Sequence, residues 1–158
     1  MADSQPSGTR ASAATASTAV ATEPGERRAF ALAEGILVIN LDDRLDRWQS
    51  LLREAGRHID ETRLERLSAI RGTNLPDYGR PPLFRGRRRD RAWAGRAGCA
   101  LSHREAIALA ARRGWHSVLI LEDDAAFTAD FDAQAAWLAN ALRDVRWDIC
   151  YLGFTDPI

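Results

Sequence analysis

The stretch Ser117-Val118-Leu119-Ile120-Leu121-Glu122-Asp123-Asp124 carries four consecutive apolar residues straight into three adjacent carboxylates. An uninterrupted Val/Leu/Ile run does not alternate, so it suits a strand covered on both faces, as in a parallel sheet with helices on each side. Ligands of open α/β sheets bind just past the carboxyl ends of such strands. Three negative charges therefore stand where a ligand belongs. Carboxylates this close repel one another, and hard oxygen donors suit Mg2+ or Mn2+. A divalent ion would turn that repulsion into coordination, and it could hold an anionic ligand such as a diphosphate. The competing reading of Glu122-Asp123-Asp124 is a solvated turn after a strand.

Upstream, Ile36-Leu37-Val38-Ile39 is a second continuous apolar run and predicts another buried strand, ending in Asn40-Leu41-Asp42-Asp43. Leu45, Trp48, Leu52 and Ala55 then recur at helical spacing, with Leu51 widening the stripe. Asp42 or Asp43 is expected to cap that helix and Gly56 to end it. A short strand is expected over 63–70, a long loop over 72–95, and an Ala-rich helix from Gly98 to Arg113 closed by Gly114. Phe131, Ala135, Leu138 and Leu142 predict a further helix capped by Asp130, and Trp147–Gly153 a last strand. Strands alternating with helices imply a parallel sheet built with right-handed crossovers.

The remaining composition mostly excludes. At 158 residues the chain fits one domain, with 46% apolar and 28% charged residues, ordinary for a globular protein. Formal charge is zero, so no net field points to nucleic acid or a membrane as partner. All 22 basic residues are Arg, read first as codon bias. Cys99 and Cys150 lack metal-type spacing and are expected as free, buried thiols in a reducing compartment. No apolar run approaches the ~20 residues that cross a bilayer. Residues 1–34 are expected to be a disordered tail, because Ala11–Thr22 contains only Ala, Ser, Thr and Val and is too weakly apolar for a secretory signal.

Three further stretches could carry chemistry. Asn40 stands at a strand's carboxyl end, where its amide could meet a nucleobase or ribose. Arg44 and Arg47 follow in the first helical turn, where plain surface arginines are the alternative. In Gly98-Cys99-Ala100-Leu101-Ser102-His103, His103 shares a helical face with Cys99, and a histidine there is either a core residue or a functional one. If that helix starts near the carboxylates, Ser102 and free backbone N–H groups could meet phosphate. Finally, Arg80–Arg96 holds seven arginines and one acid, Asp90. Such a loop is either solvated or a clamp for a phosphorylated acceptor.

Together these blocks resemble glycosyltransferase family 25, which includes bacterial lipooligosaccharide galactosyltransferases and the collagen galactosyltransferases. Ile39-Asn40-Leu41-Asp42 with Asp46-Arg47 resembles the family's opening strand. Gly98-Cys99-Ala100-Leu101-Ser102-His103 resembles its G-C-x-L-S-H block, and Leu119–Ala125 its I-L-E-D-D-A block. Leu67–Gly72 and Trp147–Gly153 are similar to weaker blocks, so the resemblance covers residues 36–153.

The resemblance implies a GT-A-like (Rossmann-like) α/β domain over residues 35–158, a mostly parallel sheet flanked by helices and incomplete at its C-terminus. It implies transfer of a sugar, most often galactose from UDP-galactose, to a hydroxyl of a glycan or lipid-linked saccharide. Mn2+ or Mg2+ would be held by Asp123 and Asp124, with Glu122 in support. Asn40 and Arg47 would lie near the nucleotide, and Ser102 and His103 on the donor side. A bacterial cytoplasmic protein is implied, meeting the inner membrane face through Arg80–Arg96. Two rivals stand beside this reading. One is a nucleotide-sugar-binding pseudoenzyme without turnover. The other is an unrelated phosphotransfer or receiver-like α/β domain.

Overall fold

The computed structural model describes residues 32–76, 78–80 and 89–153. Its regular elements are β1 (Gly35–Asn40), α1 (Leu45–Ala55), β2 (Leu64–Ser68), α2 (Asp90–Arg112), β3 (Val118–Glu122) and α3 (Phe131–Ala141). The three strands form one parallel sheet in the order β2-β1-β3. This is a Rossmann-like α/β arrangement. The expected 1–34 tail lies outside the described residues up to 31. Ala33 is already buried, and Glu34 N–H donates to Ser117 O at 3.1 Å, so the packed domain begins just before Gly35.

All six residues of the central strand β1 are buried. Successive strand side chains point to opposite faces. Ile36 and Val38 join Leu51 and Ala55 of α1, Ile59, Leu64 and Leu119 in the core, with Phe131, Ala135 and Leu138 of α3 packed against them. Leu37 and Ile39 take the other face, toward α2. Truncating a buried leucine such as Leu51 to Ala removes about 2–5 kcal/mol.

The helix α2 is held differently. Its buried residues are Asp90, Ala94, Gly98, Ser102, Ala106 and Ala110, one every fourth position. That ridge of mostly small side chains lets the helix approach the segment after β2 backbone to backbone. A Cβ on Gly98 would stand 2.3 Å from Ile70 O, and one on Gly72 would stand 1.5 Å from Ala94 O. Gly114, at φ +72°, ends the helix in the left-handed region where glycine is favoured.

Several expectations need correction. The helix starts at Asp90, eight residues before Gly98, so the C-terminal part of the expected 72–95 loop is helical. A ridge built from Ala, Gly and Ser has no strong apolar period, which hid these turns. Residues 81–88 of the arginine-rich stretch lie outside the described residues. The last expected strand does not form: residues 147–153 pair with no strand, and Ile149 and Tyr151 are exposed. Apolar content alone does not make a ladder, which rests on cross-strand pairing and burial; among the described residues the outer edges of β2 and β3 stay unpaired. Asp42 and Asp43 do not cap α1. Asp42 accepts from Ser68 Oγ at 2.6 Å and from Arg66 at 2.9 Å, and Asp43 pairs with Arg71. Asp130 stands at the start of α3, but its side chain makes no cap bond to the backbone there. Both thiols are free, but Cys99 is exposed rather than buried.

Candidate functional site

Register sets the site. Ile39 pairs with Glu122 across β1 and β3, and Asn40 pairs with Ser68 across β1 and β2. The carboxyl ends of all three strands thus finish nearly level. Alternation then divides the acidic block: Asp123 turns toward the α1 side and Glu122 toward α2.

On the α1 side, Asn40 is fully buried, with both amide hydrogens and its carbonyl oxygen engaged. Nδ2 donates to Asp123 Oδ2 at 2.8 Å and to Arg44 O at 2.9 Å, while Oδ1 accepts from Arg66 Nε at 2.7 Å. Arg47 Nη1, from the first turn of α1, donates to Asp123 Oδ1 at 3.0 Å and to Asp124 Oδ2 at 3.4 Å. The Asp123 side chain is 12% exposed and that of Asp124 66%. Asp123 is therefore the anchored carboxylate and Asp124 the open one.

On the α2 side, Glu122 Oε1 meets His103 Nε2 at 3.1 Å and Cys99 Sγ at 3.6 Å. Partial desolvation of the Cys99 thiol, reinforced by the Glu122 charge, pushes its pKa up. Ser102 points elsewhere. Its hydroxyl donates to Gly98 O at 2.7 Å and accepts from Ile70 N–H at 2.8 Å. The two halves of the Gly98–His103 block thus have separate tasks. Gly98 and Ser102 clamp α2 to the exit of β2, and Cys99 and His103 face the acidic block. Because α2 begins at Asp90, the backbone N–H groups near Ser102 lie inside the helix and are not free for phosphate.

These groups border a cavity of about 320 Å3. Its charged lining is Arg44, Arg47, Arg71 and Arg91 against Glu122, Asp123 and Asp124. Ser102 borders it too, while Asn40 and His103 stand one layer behind Asp123 and Glu122. The volume is at the lower end of what small-ligand sites enclose. Thr73 was not singled out from the sequence, Arg71 and Cys99 were noted only as members of the Leu67–Gly72 and Gly98–His103 blocks, and Arg91 and Gly95 only as part of the Arg80–Arg96 stretch. Arg71 had a signal, since it follows a strand end as Asp123 does. Arg91, Gly95 and Cys99 lie four apart, a spacing visible only once the helix is extended back to Asp90. Among the described residues, no helix is long and apolar enough to cross a membrane.

The family model for glycosyltransferase family 25 (LPS biosynthesis protein) matches residues 33–149. The chain therefore belongs to glycosyltransferase family 25. That family suggests a glycosyltransferase in lipopolysaccharide biosynthesis, which implies a sugar donor and a saccharide acceptor. No curated protein and no solved structure matches the chain.

Proposed function

We propose that the chain has a GT-A-like fold that binds a UDP-sugar, UDP-galactose first among them. It transfers the sugar to a hydroxyl of a glycan or lipooligosaccharide acceptor at the cytoplasmic membrane face. One observation carries this reading: Asp123, Asp124 and four arginines surround a single cavity at the carboxyl ends of a parallel sheet. Such a wall can hold both a diphosphate and a cation.

The donor set fits a hard dication. Asp124 is open, and Asp123 keeps lone pairs beyond the two used by Asn40 and Arg47. Asp123 and Asp124 would hold Mn2+ or Mg2+, which when bound neutralises charge on the leaving diphosphate. The chain's own cations act in the same direction. Arg71 and Arg91 face the cavity and suit bidentate phosphate contacts. Arg47 compensates Asp123 and Asp124 and fixes their spacing. In the transfer, the bond from the anomeric carbon to the diphosphate oxygen breaks, a bond to the acceptor oxygen forms, and the acceptor hydroxyl gives its proton to a base. Guanidiniums placed before the reaction stabilise the departing charge without reorganising.

The test is UDP release from UDP-galactose in the presence of Mn2+ and lipooligosaccharide, compared between the parent and Asp124→Asn. Release in the parent and its loss in the variant support the reading. Donor binding with no release under any acceptor assigns the chain instead to the binding-module alternative.

A further inference from the structure

We infer that Cys99, His103 and Glu122 form a binding site for a borderline divalent cation of the Zn2+ type, separate from the hard site at Asp123 and Asp124. The inference does not depend on the transferase reading. Cys99 and His103 are four residues apart on α2, so their side chains stack on one face. Glu122 reaches the same point from the end of β3. The Sγ, imidazole nitrogen and carboxylate oxygen all lie within 4.8 Å of one another. Zinc bonds of about 2.0–2.3 Å at tetrahedral angles set ligand atoms roughly 3.3–3.6 Å apart. The Glu122 contacts, 3.1 Å to His103 and 3.6 Å to Cys99, are already close to that spacing.

The chemistry of the donors separates this site from its neighbour. A thiolate and an imidazole select zinc-like ions, whereas Asp123 and Asp124 offer oxygen alone. Three protein ligands leave a fourth position open, the pattern of sites that take water or substrate. Cys99 and Glu122 both line the cavity, so a ligand in the cavity can reach that position. The helix that presents the pair is fixed by backbone contact at Gly98 and by the Ser102–Ile70 bond, which limits the rearrangement needed. The thiolate is the ligand, so binding releases the Cys99 proton to solvent.

Cobalt(II) is the probe, titrated into the reduced full chain. A thiolate-to-cobalt charge-transfer band in the near ultraviolet is expected, with displacement by Zn2+. Cys99→Ser should abolish the band and Cys150→Ser should leave it unchanged. His103→Ala should weaken binding about tenfold or more. Zn2+ should also protect Cys99 from alkylation. Asp124→Asn should leave the cobalt band intact while removing Mn2+ binding, so the two sites fail independently. An absent band together with absent protection overturns the inference. So does a band that survives Cys99→Ser in a chain whose far-ultraviolet circular dichroism matches the parent.

Discussion

Asn40 and Asp123, 83 positions apart in the chain, are joined by a 2.8 Å hydrogen bond between the ends of β1 and β3. The bond exists because register brings the two strand ends level and alternation turns both side chains to the same face. It makes Asn40 a positioning residue for the acidic block rather than an open contact for ligand. Asn40→Ala leaves Asp123 Oδ2, Arg66 Nε and Arg44 O without this partner. A loss of about 2–4 kcal/mol is expected, since each buried polar group left unmade costs about 1–3 kcal/mol. Urea unfolding followed by tryptophan fluorescence measures it.

The two glycines of α2 should respond in opposite directions. A Cβ at Gly98 would meet Ile70 O at 2.3 Å and Gly72 N at 2.7 Å, so Gly98→Ala must push α2 off the β2 exit. A loss of about 1–3 kcal/mol is expected, the usual range for overpacking. At Gly95 a Cβ meets nothing within 4 Å, and Gly95→Ala should gain about 0.5–1 kcal/mol from helix propensity. Thermal unfolding by circular dichroism separates the two signs.

Arg47 occupies the electrostatic place that a cation at Asp123 and Asp124 would share. Removing its charge in Arg47→Gln should tighten Mn2+ binding several-fold, because a nearby positive charge no longer opposes the ion. The same change should weaken UDP binding in the absence of metal. Electron paramagnetic resonance of free Mn2+ and calorimetry with UDP report the two effects.

The entry to α1 carries a pH signature. Arg44 holds the Asp46 carboxyl at a pKa of about 2, below its ordinary 3.8, mainly through a side-chain hydrogen bond. The folded state therefore favours the ionised form. The contribution is complete above about pH 4 and is lost as pH falls through about 2. The stability difference between the parent and Asp46→Asn should shrink to nothing across that window. Guanidinium unfolding between pH 2 and about 5 checks it.

The parts of the molecule written in long apolar side chains were legible in advance. The runs at Ile36–Ile39 and Val118–Leu121 became β1 and β3 in a parallel sheet, and the Trp48, Leu51, Leu52, Ala55 stripe became α1. The acidic block fell at a strand's carboxyl end, as its run-on sequence implied. What was hidden depends on smallness or on tertiary register. The start of α2 escaped notice because Ala94 and Gly98 pack by absence of side chain rather than by hydrophobicity. Ser102 borders the cavity, but its hydroxyl is bonded to the backbone of its own helix and of Ile70, a pairing that a separation of 32 positions conceals. The Trp147–Gly153 stretch read as a strand from its apolar residues alone, but it does not pair with either outer edge of the sheet, and Ile149 and Tyr151 stay exposed. The division of Glu122 from Asp123 between two faces follows from register, which no local pattern encodes.

The proposed nucleotide-sugar site is the cavity at the strand ends, anchored by its acidic block. Calorimetric titration of UDP-galactose with Mn2+ present is the decisive measurement, because Asp124 is exposed and Asp124→Asn leaves the core untouched. Saturable binding in the parent that falls at least about tenfold in Asp124→Asn is expected. No binding in the parent, or equal affinity in the two proteins, would contradict it.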